Sequence, residues 1–96
     1  MDRFTFTVSE GDTPLVVHLE GELDLASAPG LEEALTDIDG PVVFDCAKLT
    51  FIDSSGIKVF VHVHKHRGLS VRHAAPMVRQ VLEIMGLDEL CEESTP

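Results

Sequence analysis

The run Val42-Val43-Phe44, restarted by Gly40-Pro41, constrains the fold most. A short continuous apolar stretch is the pattern of a strand covered on both faces, so it belongs in the middle of a sheet. Upstream, Phe4, Phe6 and Val8 alternate with polar neighbours, and Leu15, Val17 and Leu19 alternate again after Ser9-Glu10-Gly11-Asp12. That order reads as strand, turn, strand, most simply a hairpin. Gly21-Glu22-Leu23-Asp24 is expected to break the second strand. Leu31, Ala34, Leu35 and Ile38 then keep a helical period, with Ser27 as candidate N-cap, and Gly30 weakens this helix by about 1 kcal/mol relative to alanine.

Residues 54–67 are ambiguous locally, because Val59, Val61 and Val63 alternate with Phe60, His62 and His64 as they would in a strand. Topology resolves the choice. If Val42-Val43-Phe44 and the later segment 69–72 run parallel, the connection must cross over, and such connections are usually helical. On a helix, Ile57, Val59, Phe60, Val61 and Val63 share one broad arc while Lys58, His62, Lys65 and His66 gather opposite. His64 falls inside the apolar arc and is expected to be partly buried; His18 and His73 read as strand side chains. The last helix is the clearest: Val78, Val81, Leu82 and Met85 keep the spacing i, i+3, i+4, i+7, with Pro76 near the first turn and Gly86 at C′. Leu87 is placed to fold back onto the last turn.

The expected order is therefore β-β-α-β-α-β-α, an α/β domain with a four-stranded mixed sheet and three main helices, one face of the sheet being less covered. At 96 residues there is room for one such domain, over residues 1–91, and residues 92–96 and Cys91 have no periodicity and should fray. Seven Lys and Arg against 17 Asp and Glu give a formal net charge of −10. That charge repels nucleic-acid backbones and anionic membranes and points to a protein partner with a basic face. No stretch approaches the roughly 18 apolar residues of a membrane span, and Met1-Asp2-Arg3-Phe4 lacks the order of a signal peptide, so a cytoplasmic location is expected. Cys46 and Cys91 lie far apart and outside any CxxC pattern, which favours buried or partly buried thiols over a disulfide or zinc site.

The chemistry concentrates in Asp53-Ser54-Ser55-Gly56, which places two hydroxyls between a carboxylate and a glycine where a helix should begin. Ser54 or Ser55 has the oxygen an N-cap needs, and Gly56 removes a side chain from the first turn, leaving a hydroxyl open to a partner. A plain N-cap is the alternative role.

Together with the element order, four motifs resemble the bacterial anti-sigma factor antagonists, which are single STAS domains: Gly21-Glu22-Leu23-Asp24, Val42-Val43-Phe44-Asp45, Phe51-Ile52-Asp53-Ser54-Ser55-Gly56, and Ala75-Pro76 followed by Val81-Leu82 and Gly86-Leu87. The resemblance spans residues 15–90. It implies partner switching: the unmodified protein binds an anti-sigma factor that is also a serine kinase, and so frees a sigma factor. The kinase phosphorylates the antagonist, the complex dissociates, and a metal-dependent serine phosphatase restores it. By the family pattern the acceptor is Ser54, Asp24 and Asp53 are its acidic neighbours, and Ser55 and Gly56 complete the partner-binding loop. Lys58, one turn on, stands where many members carry a small residue; it either meets the phosphate or the partner or is simply a solvated helix side chain, the second being the more common role of such a residue. No cofactor and no metal site is expected; monomer and weak dimer both stay open.

Other readings use the same residues. A STAS domain can be a regulatory subunit of a transporter or a scaffold in a sensory complex. A serine hydrolase would need Ser54, a histidine and Asp24 or Asp53 as a triad, but no GxSxG elbow is present. His62 and His66 share a helix face at i, i+4, yet two ligands do not close a metal site.

Overall fold

In a computed structural model describing residues 4–9 and 14–91, Val42-Val43-Phe44 opens an inner strand. The elements are β1 (Phe4–Val8), β2 (Leu15–Leu23), α1 (Ala28–Leu35), β3 (Val42–Ile52), α2 (Ser54–Arg67), β4 (Leu69–Arg72) and α3 (Pro76–Ile84), then a 3-10 turn over Asp88–Leu90. Sheet order is β1-β2-β3-β4; β1 pairs antiparallel with β2, while β2, β3 and β4 run parallel. The sheet is therefore mixed, and α1 and α2 are the two crossovers that its parallel pairs require. Residues 54–67 are helical, as topology demanded.

One face of the sheet carries the core. Val17, Leu19, Phe44 and Val71 are buried there against Leu31 of α1, Phe60 of α2 and Leu82 of α3. The Phe44 and Phe60 rings meet edge-to-face, with centroids 4.9 Å apart, a geometry favoured by the ring quadrupoles. Val43 is equally buried but lies apart from that cluster. On its own strands, exposed His18 and Glu20 and half-buried Asp45 mark the less covered face.

Several expectations need correcting. Gly21-Glu22-Leu23-Asp24 does not break β2, which continues to Leu23; the pairing with β3 instead slips twice, between His18 and Glu20 and between Gly21 and Glu22. Gly21 has φ +99°, so the irregularity is absorbed as bulges rather than as an end. Ser27 occupies the N-cap position of α1 without capping it, because its hydroxyl turns back to donate to the Glu22 carbonyl (3.0 Å) and accept from the Asp24 amide (2.9 Å). Cys91 does not fray: it bridges to Val71 of β4. The expected fraying of residues 92–96 and most of the turn around Gly11 lie outside the described residues.

The helix ends follow from side-chain chemistry. Arg67, at the end of α2, donates from Nη1 to the Leu35 carbonyl (2.8 Å), the last of α1, and to that of Ile38 in the loop after it. α3 ends in a Schellman arrangement: Gly86, at φ +76°, donates to Glu83 (3.0 Å) and Leu87 to Leu82 (2.7 Å). Gly30 is exposed within α1, and a Cβ there meets nothing within 4 Å. Gly30→Ala is therefore expected to stabilise the domain by about 0.5–1 kcal/mol, read as a rise in thermal midpoint. A fall would show that this helix depends on backbone freedom there.

Candidate functional site

Because β2 and β3 run parallel, their carboxyl ends lie side by side, with Leu23 opposite Ile52. The loops that follow are stitched together. The Asp53 amide donates to the Leu23 carbonyl (3.2 Å), and Asp53 Oδ2 accepts from the Leu25 amide (3.2 Å). Asp53 Oδ1 meanwhile accepts from the amides of Ser55 (2.8 Å) and Gly56 (3.1 Å). A single carboxylate thus holds both the loop before α1 and the first turn of α2.

This corrects the sequence reading, which assigned the cap to a serine. An N-cap residue is extended, and Asp53 is (φ −115°, ψ −170°), whereas Ser54 is already the first residue of the helix. The Ser54 hydroxyl is therefore not consumed by capping, and the residue is exposed; Ser55 is half-buried. Gly56 is buried, facing the sheet instead of a partner. A Cβ there would lie 2.7 Å from Ile52 Cγ1 and 2.8 Å from the Leu23 carbonyl oxygen. Its absent side chain serves packing of α2 onto the strand ends.

Asp24 is also engaged by backbone: its Oδ1 accepts from the amides of Ala26 and Ser27, both at 3.1 Å, shaping the turn into α1. The structure thus brings Asp24, Asp53, Ser54, Ser55 and Gly56 together at the carboxyl ends of the two inner strands, with Lys58 exposed one turn along α2. Leu25 was missed. It is 73% exposed beside this cluster, and with Ser55 and Lys58 it lines a small depression. The available signal was an apolar residue directly after Asp24 that fits neither the strand nor the helix period. On the other side of α2, Asp53 and Ser54 line one end of a groove between α2 and α3.

The histidines are placed elsewhere. His62 and His66 stack on each other, ring centroids 4.3 Å apart. His64 is exposed rather than partly buried, since the buried stripe of α2 runs through Gly56, Val59, Phe60 and Val63 and leaves position 64 at its edge. His73 lies just past β4 with φ +61°, not within it. Among the described residues, no group of three or more His, Cys, Asp or Glu side chains is arranged to hold a metal ion.

His18 and His73 converge on Asp45 from either side, Nδ1 to carboxylate oxygen distances being 3.3 and 3.2 Å. Burial alone raises the Asp45 pKa, but the Ala47 amide, the His73 hydrogen bond and the two imidazoles outweigh it and hold the group below its ordinary 3.8. A carboxylate depressed in the folded state adds stability above its unfolded pKa and loses it as pH falls through the folded value. Asp45→Asn is thus expected to flatten the acid limb of the stability curve below about pH 4, measured by urea denaturation across pH. An unchanged acid limb would remove Asp45 as its source. Burial, then the neighbouring Asp45 and Cys91, pushes the Cys46 thiol up to about 12, so it stays protonated and unreactive at neutral pH.

With this geometry in place, comparison with known proteins is specific. The family model described as "Mlab, STAS domain" matches residues 6–92. The anti-sigma-F factor antagonist RsfB of Mycobacterium tuberculosis is 31% identical over 96 residues, 92% of this chain and 79% of that protein. The solved anti-sigma factor antagonist from Mycobacterium paratuberculosis superposes with TM-score 0.80 at 28% identity, over 94% of this chain and 84% of the other. The anti-sigma factor antagonist SpoIIAA shares the fold in its unphosphorylated form (TM-score 0.78, 20% identity, 95% of this chain and 89% of that one). It does so too in its phosphorylated Bacillus form (0.75, 19%, 95% and 92%). Sequence match, element order and strand topology agree: the chain belongs to the STAS domain family, among relatives named as anti-sigma factor antagonists.

Proposed function

We propose that this chain is an anti-sigma factor antagonist switched by phosphorylation of Ser54. The unmodified form binds an anti-sigma factor with serine kinase activity and so releases a sigma factor. The observation that carries the reading is an exposed Ser54 at the first position of a helix whose cap is already filled by Asp53. The name of RsfB and the two phosphorylation states in which SpoIIAA is known support it. In the reaction Ser54 Oγ attacks the γ-phosphorus of ATP, ADP leaves, and the hydroxyl proton passes to a base of the kinase. A metal-dependent phosphatase reverses the modification by hydrolysis.

A phosphoserine adds about −1.5 to −2 charges beside Asp53. A helix N-terminus favours an anion by about 0.3–1 kcal/mol. Here, however, Asp53 already accepts from the Ser55 and Gly56 amides, and the phosphate must compete with it for them. Repulsion therefore dominates at the partner-facing surface, while the buried side of α2 keeps its packing. Asp24, Asp53, Ser55 and Lys58 border the contact, Leu25 adds an apolar anchor, and Gly56 acts through the packing beneath. The protein works in the cytoplasm as a monomer or weak dimer.

The test is incubation with ATP, magnesium and candidate anti-sigma kinases, followed by site mapping. Phosphate is expected on Ser54 of the wild type and on neither serine of Ser54→Ala. Modification confined to Ser55, or undiminished in Ser54→Ala, would overturn the assignment.

A further inference from the structure

The groove between α2 and α3 has a volume of about 640 Å³, inside the roughly 300–1,000 Å³ range of small-molecule sites. Its lining is mainly apolar: Ile57 and Val61 come from α2, Val81 and Met85 from α3 and its cap, and Ile52 from the end of β3. Val61 and Val81 are only half-buried and Met85 is 53% exposed, so this surface meets solvent.

Its charge is unlike that of the whole chain. Against a net −10, the lining holds Lys58 and Lys65, two of the three lysines in the sequence, together with His62 and His66 and the single carboxylate of Asp53. Three of the four basic side chains lie toward one end, Lys58 alone standing within about a turn and a half of Asp53. Asp53 lies beside Ser54, whereas positions 62 to 66 lie roughly 12–18 Å further along the axis at 1.5 Å per residue.

We propose that this groove binds a straight-chain amphiphilic monoanion, a fatty carboxylate. Its head lies among His62, Lys65 and His66, and its tail runs between Val61 and Val81 toward Ser54. The polarity of the groove selects this ligand. An acidic helix laid along it would bring negative charge against Asp53, whereas a monoanion keeps its charge at the basic end and offers only methylenes to the rest, each of which adds affinity on burial. Occupancy brings the tail end to the edge of the acceptor serine.

Decanoate titrated into the isolated protein, followed by amide chemical shifts, tests this. Saturable one-to-one binding is expected, with shifts confined to α2 and α3. Decanol, which has the same tail without the charge, should bind at least about tenfold more weakly, and Lys65→Glu and Met85→Asp should each weaken decanoate by about tenfold or more. Both substituted positions are exposed, so an unchanged thermal midpoint will show that the fold is intact. Non-saturable binding, equal affinity for decanol, shifts elsewhere, or no effect of either substitution would overturn the proposal. So would an acidic amphipathic peptide that occupies the groove when decanoate does not. No kinase enters the titration, so its failure leaves the Ser54 reading standing, and the reverse holds equally.

Discussion

Replacing Gly56 by alanine is expected to lower the thermal midpoint by roughly 10 °C, given overpacking of about 1–3 kcal/mol and about 4–8 °C per kcal/mol for a domain of this size. The added Cβ would meet Ile52 Cγ1 at 2.7 Å, the Leu23 carbonyl oxygen at 2.8 Å and Leu23 Cγ at 2.9 Å. A side-chain methylene can rotate away. The carbonyl cannot, because it accepts from the Asp53 amide and ends a strand whose Leu23 is paired with Ile52 of β3. Relief therefore requires α2 to lift from the sheet, which would also move Ser54. Circular dichroism melts compare the variant with wild type, and Gly30→Ala serves as a control of opposite sign. An unchanged midpoint would mean that the strand ends yield freely and that the close approach is not structural.

The second large effect is expected at Asp53. Asp53→Ala removes the acceptor for three amides: loss of the cap costs about 0.5–2 kcal/mol and loss of the Leu25 hydrogen bond about 0.5–1.5 kcal/mol, together roughly 2 kcal/mol. Asparagine separates geometry from charge. It caps as well as aspartate and keeps one carbonyl oxygen for Ser55 and Gly56, giving up the bond to Leu25. Asp53→Asn should then fall between wild type and Asp53→Ala in urea denaturation. Under the proposed switch it should also narrow the difference in partner affinity between unmodified and Ser54-phosphorylated protein, since one of the two repelling charges is gone. Calorimetric titration of both forms measures this. A gap as wide as in wild type would place the repulsion in the partner and not in Asp53.

Much of this architecture was legible because hydrophobic period and topology constrain each other. Residues 54–67 could alternate or coil, and only the need to connect two parallel strands selected the helix. Gly86 and Leu87 announced their Schellman ending, since that arrangement is local to six residues. What was not legible depends on partners distant in sequence. The bulges of β2 exist only relative to β3, so Gly21 looked like a strand end. The cap of α2 is decided by which residue is extended, and extended Asp53 donates its amide hydrogen to the carbonyl of Leu23, 30 positions earlier. The role of Gly56 required knowing that two strand ends lie beneath it. Leu25 was marked in the sequence only by fitting neither flanking period, and its exposure beside Asp53 shows only in the fold; the convergence of His18 and His73 on Asp45 joins two strands and the residue just past a third, which no spacing rule links.

The stitching of Leu23, Leu25 and Asp53 has one more consequence. Ser54 is displayed by two parallel strand ends and a capped helical turn, and a linear peptide with the same residues has none of these. Under the proposed switch, a kinase that recognises this surface reads shape and not a sequence motif. It would then modify folded molecules and pass over unfolded ones, so that the phosphoserine pool reports on the correctly folded population.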